Sequence, residues 1–370
     1  MPYPQFSRSR LAIRPLKERK NQVQIEQSHV PVNAKPRVMS GETAGIVKET
    51  VIRIAAARKA GKSVMLTFGA HTIKNGLGLV LRRLIEDGWV THLATNGAGV
   101  IHDWEIAYQG ATSEYVRENI AAGQFGIWQE TGYYINLAIA VGAYEGLGYG
   151  ESVGVMIQKG GLQIPDAADL ESVVRDSIGF DADRSAAAAD LLGLVKQFSI
   201  KPGFLPVSHP FKKYSIQAAA CRLKVPFTGH PMIGHDIIYE HPANNGGAIG
   251  RAGLRDFLTF ADSVSRLDGG VYMSVGSAVM SPMIFEKSFS MCRNIKLQKR
   301  KGRDDHYIAV VDLIPATGGW ADGKEPAPSD AAYYQRYLKT FSRMGGTMRY
   351  VCADNRDFLL AVSGELRKQV

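Results

Sequence analysis

The chain has 370 residues, 45% of them hydrophobic and 21% charged, which is the balance of a soluble globular protein long enough to bury a large core without disulfides or metals. Three scattered cysteines, Cys221, Cys292 and Cys352, show neither CxxC spacing nor a disulfide framework, so a reducing, cytoplasmic setting is expected. No apolar run approaches the ~20 residues that span a bilayer, and the basic start lacks the apolar stretch of a signal peptide.

Residues 1–40 are polar and Pro-interrupted and read as a basic extended arm. Eight basic side chains stand against Glu18 and Glu26 in residues 1–37, so +6 of the net +9 sits there and only +3 is left for the body. A second basic cluster, Lys296 to Arg303, is followed at once by Asp304 and Asp305. Neither stretch interleaves aromatics with its charges as a base-stacking surface does, so the arm is read as solvated or packed on a neighbouring subunit, with no nucleic-acid partner.

From Gly41 a helix is predicted to run to Gly61, and SVMLTFGA then reads as a buried parallel strand stopping at Gly69. GLGLVLRRLIEDGW has helical spacing at Leu77, Val80, Leu81, Leu84 and Ile85, and VTHLATNGAG repeats strand and Gly-rich turn. Residues 136–161 are predicted as one long helix, and residues 168–198 as helices around a mobile loop. KVPFTGHPMIGHDIIYEHP reads as strand and turn, RAGLRDFLTFADSVSRLDG as helix, and GGVYMSVGSA, HYIAVVDLIPAT and TMRYVCADN as strands. The alternation predicts an α/β fold with a Rossmann-like, doubly wound, mostly parallel sheet. No linker divides residues 41–370, so one domain is expected there.

Ligands of an open parallel sheet bind beyond the carboxyl ends of its strands. Five turns gather conspicuous residues at such positions: Asn96-Gly97-Ala98-Gly99 with His102 after it, Gly234-His235-Asp236, Val275-Gly276-Ser277, Asp322-Gly323 and Ala353-Asp354-Asn355. Small residues let backbone approach a pyrophosphate, helix starts offer unpaired N–H groups, and an acid can accept ribose hydroxyls. The usual GxGxxG fingerprint is absent: GLGLVL and GAIGRAG lack the preceding strand and the following acid, so any dinucleotide is held by scattered loops. His230, His235 and His241 lie near Asp236 but in an irregular loop without HExxH or HxH spacing, so no metal is assigned. No GxSxG elbow supports serine chemistry.

The run TNGAGVIHDWEIAYQGATSEYV resembles the deoxyhypusine synthase family, most closely its bacterial deoxyhypusine synthase-like branch, with NGAG, HD, an acid and GATSE in this order. Looser landmarks are GAHTIKNGL, IGHDIIYEHP, GGVYMSVGSAV and ADGKEPAPSDAAYYQRYL, so the resemblance spans about residues 60–365. It implies the deoxyhypusine synthase-like NAD-binding fold and a homotetramer with NAD and substrate sites at its interfaces. It further implies oxidation of spermidine by NAD, with aminobutyl transfer through an enzyme lysine to a protein acceptor. By position it assigns Asn96, Gly97, Ala98, His102, His235 or Asp236, Gly276, Ser277, Asp322, Gly323 and Asp354 to the cofactor. Ala70 and Lys74 fall where the family has small hydroxyl residues.

Over Pro328–Arg336 the resemblance places Asp330 where an acid grips the amine, Tyr334 as the aromatic lid and Arg336 at the nucleophilic lysine. A guanidinium stays charged and is a poor nucleophile; Lys339, about one helical turn on, is either its substitute, if the register slips, or a solvent-facing helix lysine. Two readings follow. One is an NAD-dependent enzyme on a polyamine, performing oxidation or transfer to a free amine, with Asp322, Glu325 and Asp330 facing the cationic substrate. The other is a non-catalytic relative that keeps a nucleotide pocket, or one refitted to an unrelated small ligand.

Overall fold

The computed structural model describes residues 3–299, 305–316, 318–320 and 323–369, with the side chain of Arg336 outside that set. Contacts gather into two compact units. A sheet unit comprises Ser28–Gly99, Ala219–His230 and Phe257–Val370, and a helical unit comprises Met1–Gln27, Val100–Ala218 and Pro231–Asp256. The one-domain expectation rested on the lack of a linker. Three of the five passages of the chain between the units fall inside the helices Gly97–Gln109, Ile216–Leu223 and Gly246–Ser265, and these three carry no linker composition to read.

The sheet unit is built on β1 (Val64–Phe68), β2 (His92–Asn96), β3 (Phe227–His230), β4 (Val271–Val275), β5 (Tyr307–Asp312) and β6 (Thr347–Cys352). Their order across the sheet is β3-β2-β1-β4-β5-β6, with every pairing parallel. Every residue of β1 and β4 is buried, which is why the sequence shows unbroken apolar runs there instead of alternation. Alternate residues supply two cores. Met65, Tyr272, Ile308 and Tyr350 pack with Phe260, Phe285, Trp320 and Phe341 on one face. On the other, the Tyr307 hydroxyl lies 3.0 Å from Thr50 Oγ1 of the helix Gly41–Lys59. Helices thus cover both faces, and the chain has the α/β, Rossmann-like, doubly wound architecture.

In the helical unit, two short antiparallel pairs join Asn21–Gln24 to Ala111–Glu114 and Gly161–Ile164 to Gly203–Pro206. The basic N-terminal segment differs from the expected solvated arm. Leu16 is fully buried and its N–H donates to Glu130 Oε2 at 2.6 Å. Arg8 donates to the carbonyls of Tyr239 and Asn244 at 2.8 and 3.1 Å. Arg19 makes two 2.7 Å bonds to Glu105, both side chains being 1% exposed. The cause is a countercharge 86 residues away, which no local charge count reveals.

The predicted long helix over 136–161 is two helices, Gln129–Glu145 and Tyr149–Lys159. Gly146 takes φ 87°, and Leu147 N–H returns to the Gly142 carbonyl at 2.7 Å, closing the first helix. Between Ala167–Ser177 and Ala182–Gln197 the expected loop is a short turn, with Asp181 capping the second helix. Among the described residues no helix is long and apolar enough to cross a membrane.

Candidate functional site

From β1 the chain builds β2 and β3 to one side and β4 to β6 to the other, so the loops after β1 and β4 diverge. That is the switch point at which open α/β sheets receive ligands. Gly69 follows β1 and donates to the Val275 carbonyl at 3.1 Å, while Gly276 follows β4 and donates to the Val311 carbonyl at 2.9 Å. A Cβ on Gly69 would overlap the Gly276 carbonyl oxygen. One on Gly276, whose φ is 58°, would overlap the Asn355 side-chain amide. Two backbones therefore meet where no side chain fits. Asn355 Nδ2 donates to Thr72 Oγ1 at 3.3 Å and ties the start of the helix after β6 to the turn after β1.

Several residues expected from the sequence stand at neighbouring strand ends. Asn96 closes β2, and its Oδ1 accepts from Gly99 N–H at 2.9 Å, capping the helix that begins with Gly97 and Ala98. Ser277 is buried, and its Oγ accepts from Ser281 N–H at 3.2 Å at the start of the helix Met280–Gln298. Both helix starts suit an anionic group. Gly69 and Thr72 were missing from the sequence-derived set, and Asn355 stood in it only as part of the turn Ala353-Asp354-Asn355. The glycine directly after the run VMLTF was the available signal for the first.

Asp354 also lies at a strand end, but it is engaged. Its Oδ1 caps the last helix through Arg356 N–H at 2.8 Å, and its Oδ2 accepts from Arg37 Nη2 at 3.0 Å. Arg37 Nε also donates to Asp357 at 2.6 Å, and these bonds, that to Asp357 first, hold the guanidinium pKa above its ordinary value. A cavity of about 450 Å³ at the ends of β5 and β6 is lined by Arg37, Ser40, Thr43, Leu313, Cys352 and Asp354. A larger one, about 650 Å³, lies by Phe289, Arg293, Arg343 and Gly345, toward the amino ends of the strands, where this sheet class does not bind its cofactor.

Asp322 lies outside the described residues. A Cβ on Gly323 would lie 3.5 Å from Met348, the second residue of β6, so this glycine is not with Gly276 at the carboxyl ends. Asp330 Oδ1 accepts from Ala332 N–H at 2.8 Å, capping a 3-10 turn rather than facing a cavity. Glu325 is paired with Arg343. Arg336 heads the helix Arg336–Ser342. Lys339 Nζ sits 3.3 Å above the ring centroid of Tyr333, whereas Tyr334, expected as the aromatic lid, is 73% exposed. The motif position gave Tyr334; the non-helical Gln335 (φ −71°, ψ 76°) stands between turn and helix, and the ring beneath Lys339 is that of Tyr333. Lys339, followed by Arg343, holds the Tyr333 phenol below the ordinary tyrosine pKa.

His102, His235 and Asp236 belong to the helical unit. His102 Nδ1 is 2.7 Å from Thr112 Oγ1, which donates to Glu105 at 2.6 Å, so this histidine joins the buried network of Arg19. Burial pushes the Glu105 pKa up, but Arg19 outweighs it and the carboxylate stays below its usual range. His235 is exposed. Asp236 precedes the turn Ile237–Glu240, and its charge adds to burial in raising the phenol pKa values of Tyr149 and Tyr239. In the sheet unit, His92 Nε2 and His230 Nε2 both reach Thr228 Oγ1, at 3.0 and 2.9 Å. Burial pushes each imidazole down to about 3. Among the described residues no group of three or more His, Cys, Asp or Glu could hold a metal.

No protein-family model and no curated protein matches the chain. Among solved structures it is similar to unliganded AgrE, at 15% identity over 90% of this chain and 34% of that one, with a TM-score of 0.45. The ternary complex of AgrE with ornithine and NAD+ gives 14% and 0.44 over the same shares. The chain therefore spans about a third of the length of AgrE. A putative deoxyhypusine synthase from Entamoeba histolytica matches at 11% identity, over 86% of this chain and 88% of that one, with a TM-score of 0.32.

Proposed function

We propose that the chain is an NAD-dependent enzyme acting on an amine of the polyamine class. The observation that carries the cofactor half is the strand order, with Gly69 and Gly276 in backbone contact at its switch point. The two glycines let the turns after β1 and β4 close on each other, and Asn96 and Ser277 sit at the adjoining strand ends, where this sheet class receives a dinucleotide. The amine half rests on the family-like run from Thr95 to Val116.

The chemistry proposed is hydride transfer without a covalent enzyme intermediate. Bound NAD would supply the hydride acceptor for a C–H bond next to the amine nitrogen, so that the substrate carbon becomes an iminium carbon. Water or a second free amine then adds to the iminium carbon and a proton is released. Lys339 is engaged over the Tyr333 face in a cation–π contact and is not assigned as the nucleophile.

Incubation with NAD and spermidine, and separately with ornithine, followed at the NADH absorbance band, tests this. Spermidine-dependent NADH is expected, with no adduct trapped by borohydride. NAD binding without reduction by any amine would leave a nucleotide-binding relative, and no NAD binding would remove both halves.

A further inference from the structure

A third cavity of the sheet unit, about 480 Å³, opens between residues 33–39, the helix Gly41–Lys59 and the helix Asn355–Arg367. Its volume falls within the range of small-molecule sites, roughly 300–1,000 Å³. Its floor is apolar: Met39, Val47, Leu360 and Ala361, of which Val47 and Leu360 are core residues at 3% and 1% exposure. Its rim is cationic. Lys35, Lys48 and Arg367 line it, and neither Lys35 nor Lys48 makes an ion pair among the described residues. The carboxylate in the lining, Glu365, is already paired with Lys368 at 2.6 Å.

Gly364 adds an independent sign. It stands inside a helix, where glycine weakens the helix relative to alanine, and such a glycine usually answers a packing need. None exists here: a Cβ on Gly364 would meet only Arg367 Nη2, at 4.0 Å. Its missing side chain instead leaves the cavity wall open.

We propose that this cavity binds a small amphipathic monoanion, an aliphatic carboxylate whose chain lies on Met39, Val47 and Leu360 while Lys35 and Lys48 take its charge. Apolar contact supplies the affinity and the uncompensated ammonium groups select the sign of the head group. The site does not depend on the dinucleotide reading.

The test is calorimetric titration of the full chain with decanoate, decylamine and phosphatidylglycerol vesicles, repeated with Gly364→Met and with Lys35→Glu/Lys48→Glu. Gly364→Met fills the cavity with a better helix former at a position with no close neighbour, so its fold, checked by circular dichroism, is expected to be intact. Decanoate binding weakened about tenfold or more by either variant, with no decylamine binding, is the expected result. Decanoate binding unchanged in both variants, decylamine binding as tightly, or binding to vesicles alone would overturn the proposal. So would an absence of decanoate binding to the unaltered chain.

Discussion

Arg19→Met is the perturbation whose outcome follows most directly from the structure. The variant keeps most of the stem's packing but leaves Glu105 buried at 1% side-chain exposure with only the hydroxyls of Thr112 and Thr131 as donors. Removing one partner of a buried pair costs about 3–5 kcal/mol, and the two surviving hydroxyls favour the lower end. Against a typical total of roughly 5–15 kcal/mol, that is a large loss. Arg19 lies 5.9 Å from the Trp128 ring centroid, so urea unfolding followed by tryptophan fluorescence reads the affected unit.

Two comparisons isolate the cause. Arg19→Met combined with Glu105→Gln is expected to recover much of the loss, while Lys20→Met, at an exposed neighbour, stays within about 0.5 kcal/mol. The pH dependence has a definite sign. Glu105 in the folded protein is held below its ordinary 4.5, so its contribution is complete above that value and is lost as pH falls through the folded pKa. Without Arg19, burial raises the Glu105 pKa, and the gap between the two proteins widens as pH rises from 4.5. A cost under about 1 kcal/mol at neutral pH would mean that the segment is a solvated arm after all.

Other outcomes follow from single contacts. Gly276→Ala places a Cβ against Asn355 at a positive φ and is expected to cost about 1–3 kcal/mol in thermal or urea unfolding, with loss of NAD affinity. Glu240 is pushed up to about 7, by burial first and Glu114 second, so the folded protein keeps a proton that the unfolded chain has released. Its presence therefore lowers stability progressively from about pH 4.5 to pH 7, and Glu240→Gln is expected to raise the melting temperature at pH 8 more than at pH 4. Equal shifts at both would show that the carboxyl is not perturbed. Lys339→Met removes the cation over Tyr333, and the phenolate absorbance of that tyrosine is expected to appear at higher pH than in the parent.

The sheet was legible because burial on both faces leaves a simple signature. All six predicted strands, from VMLTF to TMRYVC, belong to the central sheet, the fully buried VMLTF and VYMSV carrying that signature most plainly. The turn glycines Gly97 and Gly276 could be read for the same reason, each following such a run. Features set by distant partners could not be read. Arg19 looks like one more basic residue until Glu105 is placed beside it, and Asp354 looks like a ribose acceptor until Arg37 occupies it. Local phase was equally hidden: the non-helical Gln335 stands between turn and helix, and nothing in the run AYYQRYLK shows that Lys339 lies over Tyr333. The strand order, which locates the switch point, is a property of pairing between distant segments, such as Val64 with Val271, and leaves no trace in any one of them.

Hydrogen exchange with and without NAD tests the central claim most directly. Added NAD is predicted to slow exchange at the amides of Gly69 to Ile73 and of Gly276 to Ser281, with the amino-end loops His306 and Gly345–Gly346 unchanged. Saturating NAD that protects neither turn, or protects only the amino-end loops, would contradict a dinucleotide site at the meeting of β1 and β4.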